Sequence, residues 1–248
     1  MCTVTFIARK KGYALAMNRD EKLSRVAGRP PTKRIIDGRT VLFPSEPGGG
    51  TWIALNDSNT TLALINWYSI RAKIDGEAAS RGEVVRAAGP ASTPDLVDAA
   101  LAQMTLKKTN PFRLIGVFSN TREVAEWRWD LKKLVRKNHQ WEPHQWISSG
   151  FDEPTAQRVR SNRFKQALRH TSAGSLKWLR RLHRSHLPQA GPFSTCMHRD
   201  DAATVSYTEV AISPQGAMMR HRAGAPCQDA AFCVHKLGRM HPHAKRVH

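Results

Sequence analysis

The sequence predicts an α+β fold in which antiparallel sheets pack together and helices come in separate blocks. Three observations predict it. Strand patterns come in pairs joined by tight turns, these pairs stand before and after blocks of helical periodicity rather than alternating with them, and they are numerous enough to call for two packed sheets.

At the N-terminus Val4 and Phe6 alternate with Thr3 and Thr5, and after a turn at Lys11-Gly12 the pattern resumes through Tyr13, Leu15 and Met17. A period of two marks a half-buried strand, so this is a hairpin whose first strand belongs inside a sheet. A polar connection through Pro30 and Pro31 follows, then a short strand at 40–43 and a turn at Gly48-Gly49-Gly50. Residues 51–55 and 60–67 read as a second hairpin around the turn-rich Asn56-Asp57-Ser58-Asn59. Helices take over next. Ser80 is placed to cap 81–88, and Thr93 to cap a helix with Pro94 at its first position and Leu96, Val97, Ala100, Leu101 and Met104 on one face.

A third hairpin joins 112–118 to 124–131, with Trp127 and Trp129 two apart and so on one face, best explained as core. A further strand is expected at 144–147. Two basic helices, 155–170 and 175–186, carry the apolar stripes Val159, Phe164, Leu168 and Leu176, Leu179, Leu182, which would cover the opposite face. The closing hairpin runs from 203–212 through Ser213-Pro214-Gln215-Gly216 to 217–221.

A length of 248 residues lies at the upper edge of what one core serves, so one domain over 1–225 and a basic, flexible tail over 226–248 are expected. No apolar run approaches the roughly 20 residues of a membrane span, and no signal stretch opens the chain. Four cysteines do not make a disulfide framework at this size, so a cytoplasmic, reducing location is expected. The 39 Lys+Arg against 20 Asp+Glu give a net charge of +19, which attracts polyanions whatever the fold. The charge is densest over 158–186, yet no zinc-finger spacing, RNP pattern or helix-turn-helix signal accompanies it. It reads as a surface property, with nucleic-acid binding kept as an alternative.

Cys2 is the first candidate for chemistry. A small residue after Met1 permits removal of the initiator, leaving thiol and α-amine on one residue. The amine, with a pKa of about 7.7–8.0, can take the thiol proton as sulfur attacks a carbonyl carbon. MCTVTFI followed by GYALAMNRDE, then GGGTWIALN and Ser80-Arg81-Gly82, resembles the NRDE family, also called the transport and Golgi organisation protein 2 family. The resemblance implies a four-layer αββα sandwich like that of N-terminal-nucleophile hydrolases, and a hydrolase acting on the carbon–nitrogen bond of a small amide or acyl substrate. It makes Cys2 the nucleophile, Asp20 the acceptor of the liberated amine, Arg19 a group that lowers the thiol pKa and orients substrate, and Asn66 an oxyanion donor. Arg19 and Asp20 are neighbours, and neighbours on a strand point to opposite faces, so both serve one site only where the strand ends or a bulge intervenes.

Later in the chain the family pattern is loosely kept: in QWISSGFDEPTAQRVRSN, Ser149 stands where an asparagine is expected. That departure leaves a second reading open, a non-catalytic family member binding a lipid-like or haem-like ligand. The C-terminal Cys227, Cys233, His235, His241 and His243 invite a metal reading. Five residues separate the two cysteines, against the usual two to four or so, and no metal or cofactor is expected there or elsewhere.

Overall fold

The N-terminal alternation becomes an interior strand, flanked on both sides. The structure, a computed structural model, describes residues 2–238. In chain order the first strands are β1 (Cys2–Ala8), β2 (Tyr13–Lys22), β3 (Arg29–Ile36), β4 (Arg39–Ser45), β5 (Ile53–Asn56) and β6 (Thr60–Asn66). Helices α1 (Gly82–Ala88) and α2 (Pro94–Ala102) follow, then β7 (Phe112–Phe118), β8 (Glu123–Trp129), β9 (Leu134–His139) and β10 (His144–Ser148). Helices α3 (Glu153–Leu168) and α4 (Leu176–His183) precede β11 (Ala202–Ser213), β12 (Gly216–Ala223) and β13 (Cys233–Leu237).

Two antiparallel sheets result, ordered β10-β1-β2-β11-β12-β13 and β3-β4-β5-β6-β7-β8-β9. Between them lies one core, in which Cys2, Val4 and Phe6 of β1 and Tyr13, Leu15 and Met17 of β2 meet Trp52, Leu55, Ile65 and Val117. Because side chains alternate along a strand, Ile7, Ala14 and Ala16 face the other way, onto Phe164 of α3 and Trp178, Leu179 and Leu182 of α4. On the outside of the second sheet, Leu62, Leu64, Leu114, Trp127 and Trp129 pack against Val84 and Val85 of α1 and Val97 and Leu101 of α2. The layers are therefore helix, sheet, sheet, helix, the four-layer α+β sandwich that the resemblance implies.

The stretch through Pro30 and Pro31 is not a connection but β3, an edge strand whose register shifts between Arg29 and Thr32, where the two prolines sit. Proline is tolerated there because an edge leaves one row of backbone groups unpaired. β9 is likewise an edge strand, and its Lys- and Arg-rich sequence carries no alternation. Thr93 caps α2 as expected, accepting from the Leu96 N–H, whereas α1 is preceded by Arg81 and Ser80 instead bonds the Gly82 N–H. In α3 the buried stripe is Ala156, Arg160 and Phe164 rather than Val159, Phe164 and Leu168. Of the stretch expected to be a tail, Cys233–Leu237 forms β13 on the edge of the first sheet, with Leu237 in the inter-sheet core. His241 and His243 lie outside the described residues.

Candidate active site

The register of three strands builds the site. Cys2 stands opposite Arg19 on β2 and opposite Ser148 on β10, so its side chain is held at one end of the first sheet, on the face toward the second. It opens onto a cavity of about 350 Å³ whose wall includes Arg19, Asp20, Trp52, Asn66, Arg81 and Asn110. All four residues singled out from the sequence, Cys2, Arg19, Asp20 and Asn66, thus border one cavity. Burial pushes the Cys2 thiol pKa up from its ordinary value; the Asp20 carboxylate adds to the rise, and Arg19 opposes it.

Arg19 and Asp20 point to opposite faces of β2, as neighbours must. The irregularity lies in the partner strand, where the β2–β11 register shifts between Thr204 and Ser206. Arg19 lies over the Trp52 ring, 4.4 Å from its centre, and donates to Glu46 at 2.6 Å and Glu21 at 3.3 Å. Its fork is therefore engaged by two carboxylates. Asp20 turns toward the helix layer, where Thr204 Oγ1 donates to it at 2.6 Å and Arg160 at 3.4 Å. Arg160, fully buried, also donates to Thr3 Oγ1 and to the carbonyls of Pro192 and Phe193.

Two glycines bring the second sheet to this pocket. A Cβ on Gly82 would lie 2.5 Å from the Thr51 nitrogen and 2.7 Å from Gly50 Cα, so the Gly-rich turn and the Ser80-Arg81-Gly82 segment touch backbone to backbone. That contact sets Trp52 and Arg81 on the same wall. Arg81 is largely buried and donates to the Pro111 carbonyl at 3.4 Å, with no carboxylate partner among the described residues. Asn66, the last residue of β6, gives one amide hydrogen to Tyr68 Oη at 2.7 Å. The N–H of the next residue, Trp67, is taken by the Pro111 carbonyl. Asn110 accepts from the Ile74 N–H through its side-chain oxygen, which leaves its NH₂ as a donor beside the cavity. Ser149 follows directly on the residue paired with Cys2 and is buried against the start of α3.

Beyond the first two strands, sequence reasoning missed Arg160 and Asn110. The signal for Arg160 was present: Ala156, Arg160 and Phe164 recur at a spacing of four, a charge on an otherwise apolar helix face. Asn110 carries no such pattern.

A strand-borne cysteine at the end of an αββα sandwich defines the class, the fold of the N-terminal-nucleophile hydrolases. Among solved structures, penicillin V acylase from Agrobacterium tumefaciens is similar with a TM-score of 0.51 at 9% identity, over 90% of this chain and 83% of that one. The C2A mutant of conjugated bile acid hydrolase from Clostridium perfringens is similar with a TM-score of 0.51 at 10% identity, over 94% and 92%. At such identities the likeness speaks for fold alone. Residues 1–173 match the family Transport and Golgi organisation 2, and the chain belongs to that family. No curated protein matches it in sequence. No helix among the described residues is long and apolar enough to cross a membrane.

Proposed function

We propose that this chain is an N-terminal cysteine amidohydrolase acting on a small amide or acyl compound. The observation that carries the reading is the opening of Cys2 onto the cavity that Arg19, Asp20 and Asn66 share. With its thiol pKa raised by burial, Cys2 is a thiol at neutral pH, so its proton must leave as the sulfur attacks. The α-amine exposed by loss of Met1 takes that proton, and the Asp20 carboxylate, fixed by Thr204 and Arg160, holds the amine. A carbon–sulfur bond forms as the carbon–nitrogen bond breaks. The proton passes to the departing amine, and water then hydrolyses the thioester to acid and free thiol.

The developing oxyanion is met by the Asn66 amide, with the Asn110 NH₂ as the second donor. Arg19, neutralised by Glu46 and Glu21, shapes the wall together with Trp52. Arg81 is the cation left for substrate, which points to an acyl compound bearing a carboxylate or similar anion. All four cysteines are free, which suits a reducing, cytoplasmic setting.

The test combines intact mass, thiol mapping and turnover of N-acyl amino acids. The purified chain lacks Met1, Cys2 is alkylated at neutral pH, and Cys2→Ala abolishes turnover. Retention of Met1 removes the base and with it the mechanism. One observation favours a second reading, ligand binding without cleavage: Ser149 replaces the asparagine of the family pattern beside the nucleophile. In that case Cys2→Ser binds a lipid-like or haem-like ligand as well as the parent does.

A further inference from the structure

On the far side of Asp20 from the cavity, three segments distant in sequence bring two histidines and two cysteines together. His186 follows α4, Cys196 and His198 lie in the loop before β11, and Cys227 follows β12. Their ligand atoms all lie within 4.8 Å of one another. His186 Nε2 is 3.2 Å from His198 Nε2, and the His198 nitrogen is 3.5 Å from Cys196 Sγ and 3.4 Å from Cys227 Sγ.

The three separations from the His198 nitrogen match the edges of a tetrahedron around zinc, and the remaining ligand atoms lie close enough to close on one ion. Bonds of about 2.3 Å to sulfur and about 2.0–2.1 Å to nitrogen place two nitrogens about 3.3 Å apart and a nitrogen and sulfur about 3.5 Å apart. No carboxylate belongs to the cluster, which excludes the donor preference of calcium or magnesium. Two soft and two borderline donors select zinc among common divalent ions, and four protein ligands leave no open position for catalysis. We propose that His186, Cys196, His198 and Cys227 bind one structural zinc ion.

Each thiol gives its proton to solvent on binding, so two thiolates balance the charge of the ion and the imidazoles remain neutral. Cys196 is already fixed for this role: its N–H donates to the Ser185 carbonyl and its carbonyl accepts from Ser194 Oγ. Cys196 is fully buried, and His186, His198 and Cys227 are partly so.

The ion would also support the cavity from behind. The ligand-bearing loop supplies the Pro192 and Phe193 carbonyls that hold Arg160, and the Met197 N–H donates to Thr204 Oγ1, which donates to Asp20. Clamping the loop thus fixes two partners of the Asp20 carboxylate, Arg160 and Thr204. The proposal stands whether or not Cys2 cleaves a substrate, because its readout is metal.

Full-length protein purified without chelator, measured by elemental analysis, should carry about one zinc per chain. Cys196→Ser with Cys227→Ser should lower that at least tenfold, while Cys227→His, which keeps a donor, and Cys233→Ser, outside the cluster, should retain it. Should the double variant fail to fold, cobalt added to the metal-depleted parent chain decides: a tetrahedral spectrum with thiolate-to-metal charge transfer is expected. Zinc below a tenth of an equivalent with no cobalt spectrum overturns the proposal, as does a Cys196–Cys227 disulfide in the purified protein or metal content unchanged in the double variant.

Discussion

Replacing Arg160 by Met tests the polar layer behind the nucleophile. Both members of the Arg160–Asp20 pair are fully shielded from solvent. Removing the guanidinium leaves Thr204 as a donor to a buried carboxylate and strips Thr3 Oγ1 and the Pro192 and Phe193 carbonyls of one donor each. Breaking such a pair from one side costs about 3–5 kcal/mol, against a total stability of about 5–15 kcal/mol. With a urea dependence of about 2–3 kcal/mol per molar, the midpoint should fall by about 1–2.5 M, followed by tryptophan fluorescence. Asp20→Asn alone should also destabilise, because it leaves the cation uncompensated. The double variant Arg160→Met with Asp20→Asn should recover about 2 kcal/mol relative to the sum of the singles. Additive effects within about 0.5 kcal/mol, or a loss below about 1 kcal/mol for Arg160→Met, would refute the pairing as a source of stability.

Burial lowers the pKa of His183 to about 3 and of His221 to about 4, so the folded state resists a proton that the unfolded state accepts near about 6.5. Stability should be full above that pH and fall as pH drops, by about 2 kcal/mol for each histidine between pH 7 and pH 5. His183→Gln should flatten the slope in acid denaturation, and an unchanged slope would remove His183 from the account. Gly82→Ala must push the touching backbones apart and should cost about 1–3 kcal/mol while slowing Cys2 alkylation. Gly48→Ala, with open space around it, is the control and should be near neutral by the same melts. On the proposed function, Arg81→Gln should raise KM for an anionic substrate at least tenfold while leaving a neutral analogue unaffected; equal losses for both would argue against recognition of an anion.

The regions of the fold that were legible are those where one local pattern decides. β1 and β2 show alternation and a short turn at Lys11-Gly12, and Thr93-Pro94 writes a helix start into the sequence. β3 and β9 escaped because edge strands exposed to water have no apolar face to alternate. The placement of β11 beside β2 could not be read either, since Thr204 and Asp20 are brought together across most of the chain. The site divides in the same way. Cys2, Arg19 and Asp20 lie in one hairpin and were legible together, whereas Arg160 hides in a run of basic residues that reads as surface. The His186, Cys196, His198 and Cys227 cluster evades a spacing rule that compares neighbours, because its members come from three segments. Of the described C-terminal residues weighed as ligands, Cys227 alone joins it; Cys233 and His235 sit on β13.

β13 takes over from β12 as the edge of the first sheet. β13 hydrogen-bonds along β12 from Cys233 to Leu237, occupying a row of donors and acceptors that would otherwise face water. A chain cut at residue 225, where composition alone would place the end of the domain, would bare β12 as a template for strand addition by a second molecule. It would also leave an opening in the apolar layer where Leu237 sits. Shortened versions of this protein should therefore self-associate, and the boundary for any working fragment lies beyond Leu237.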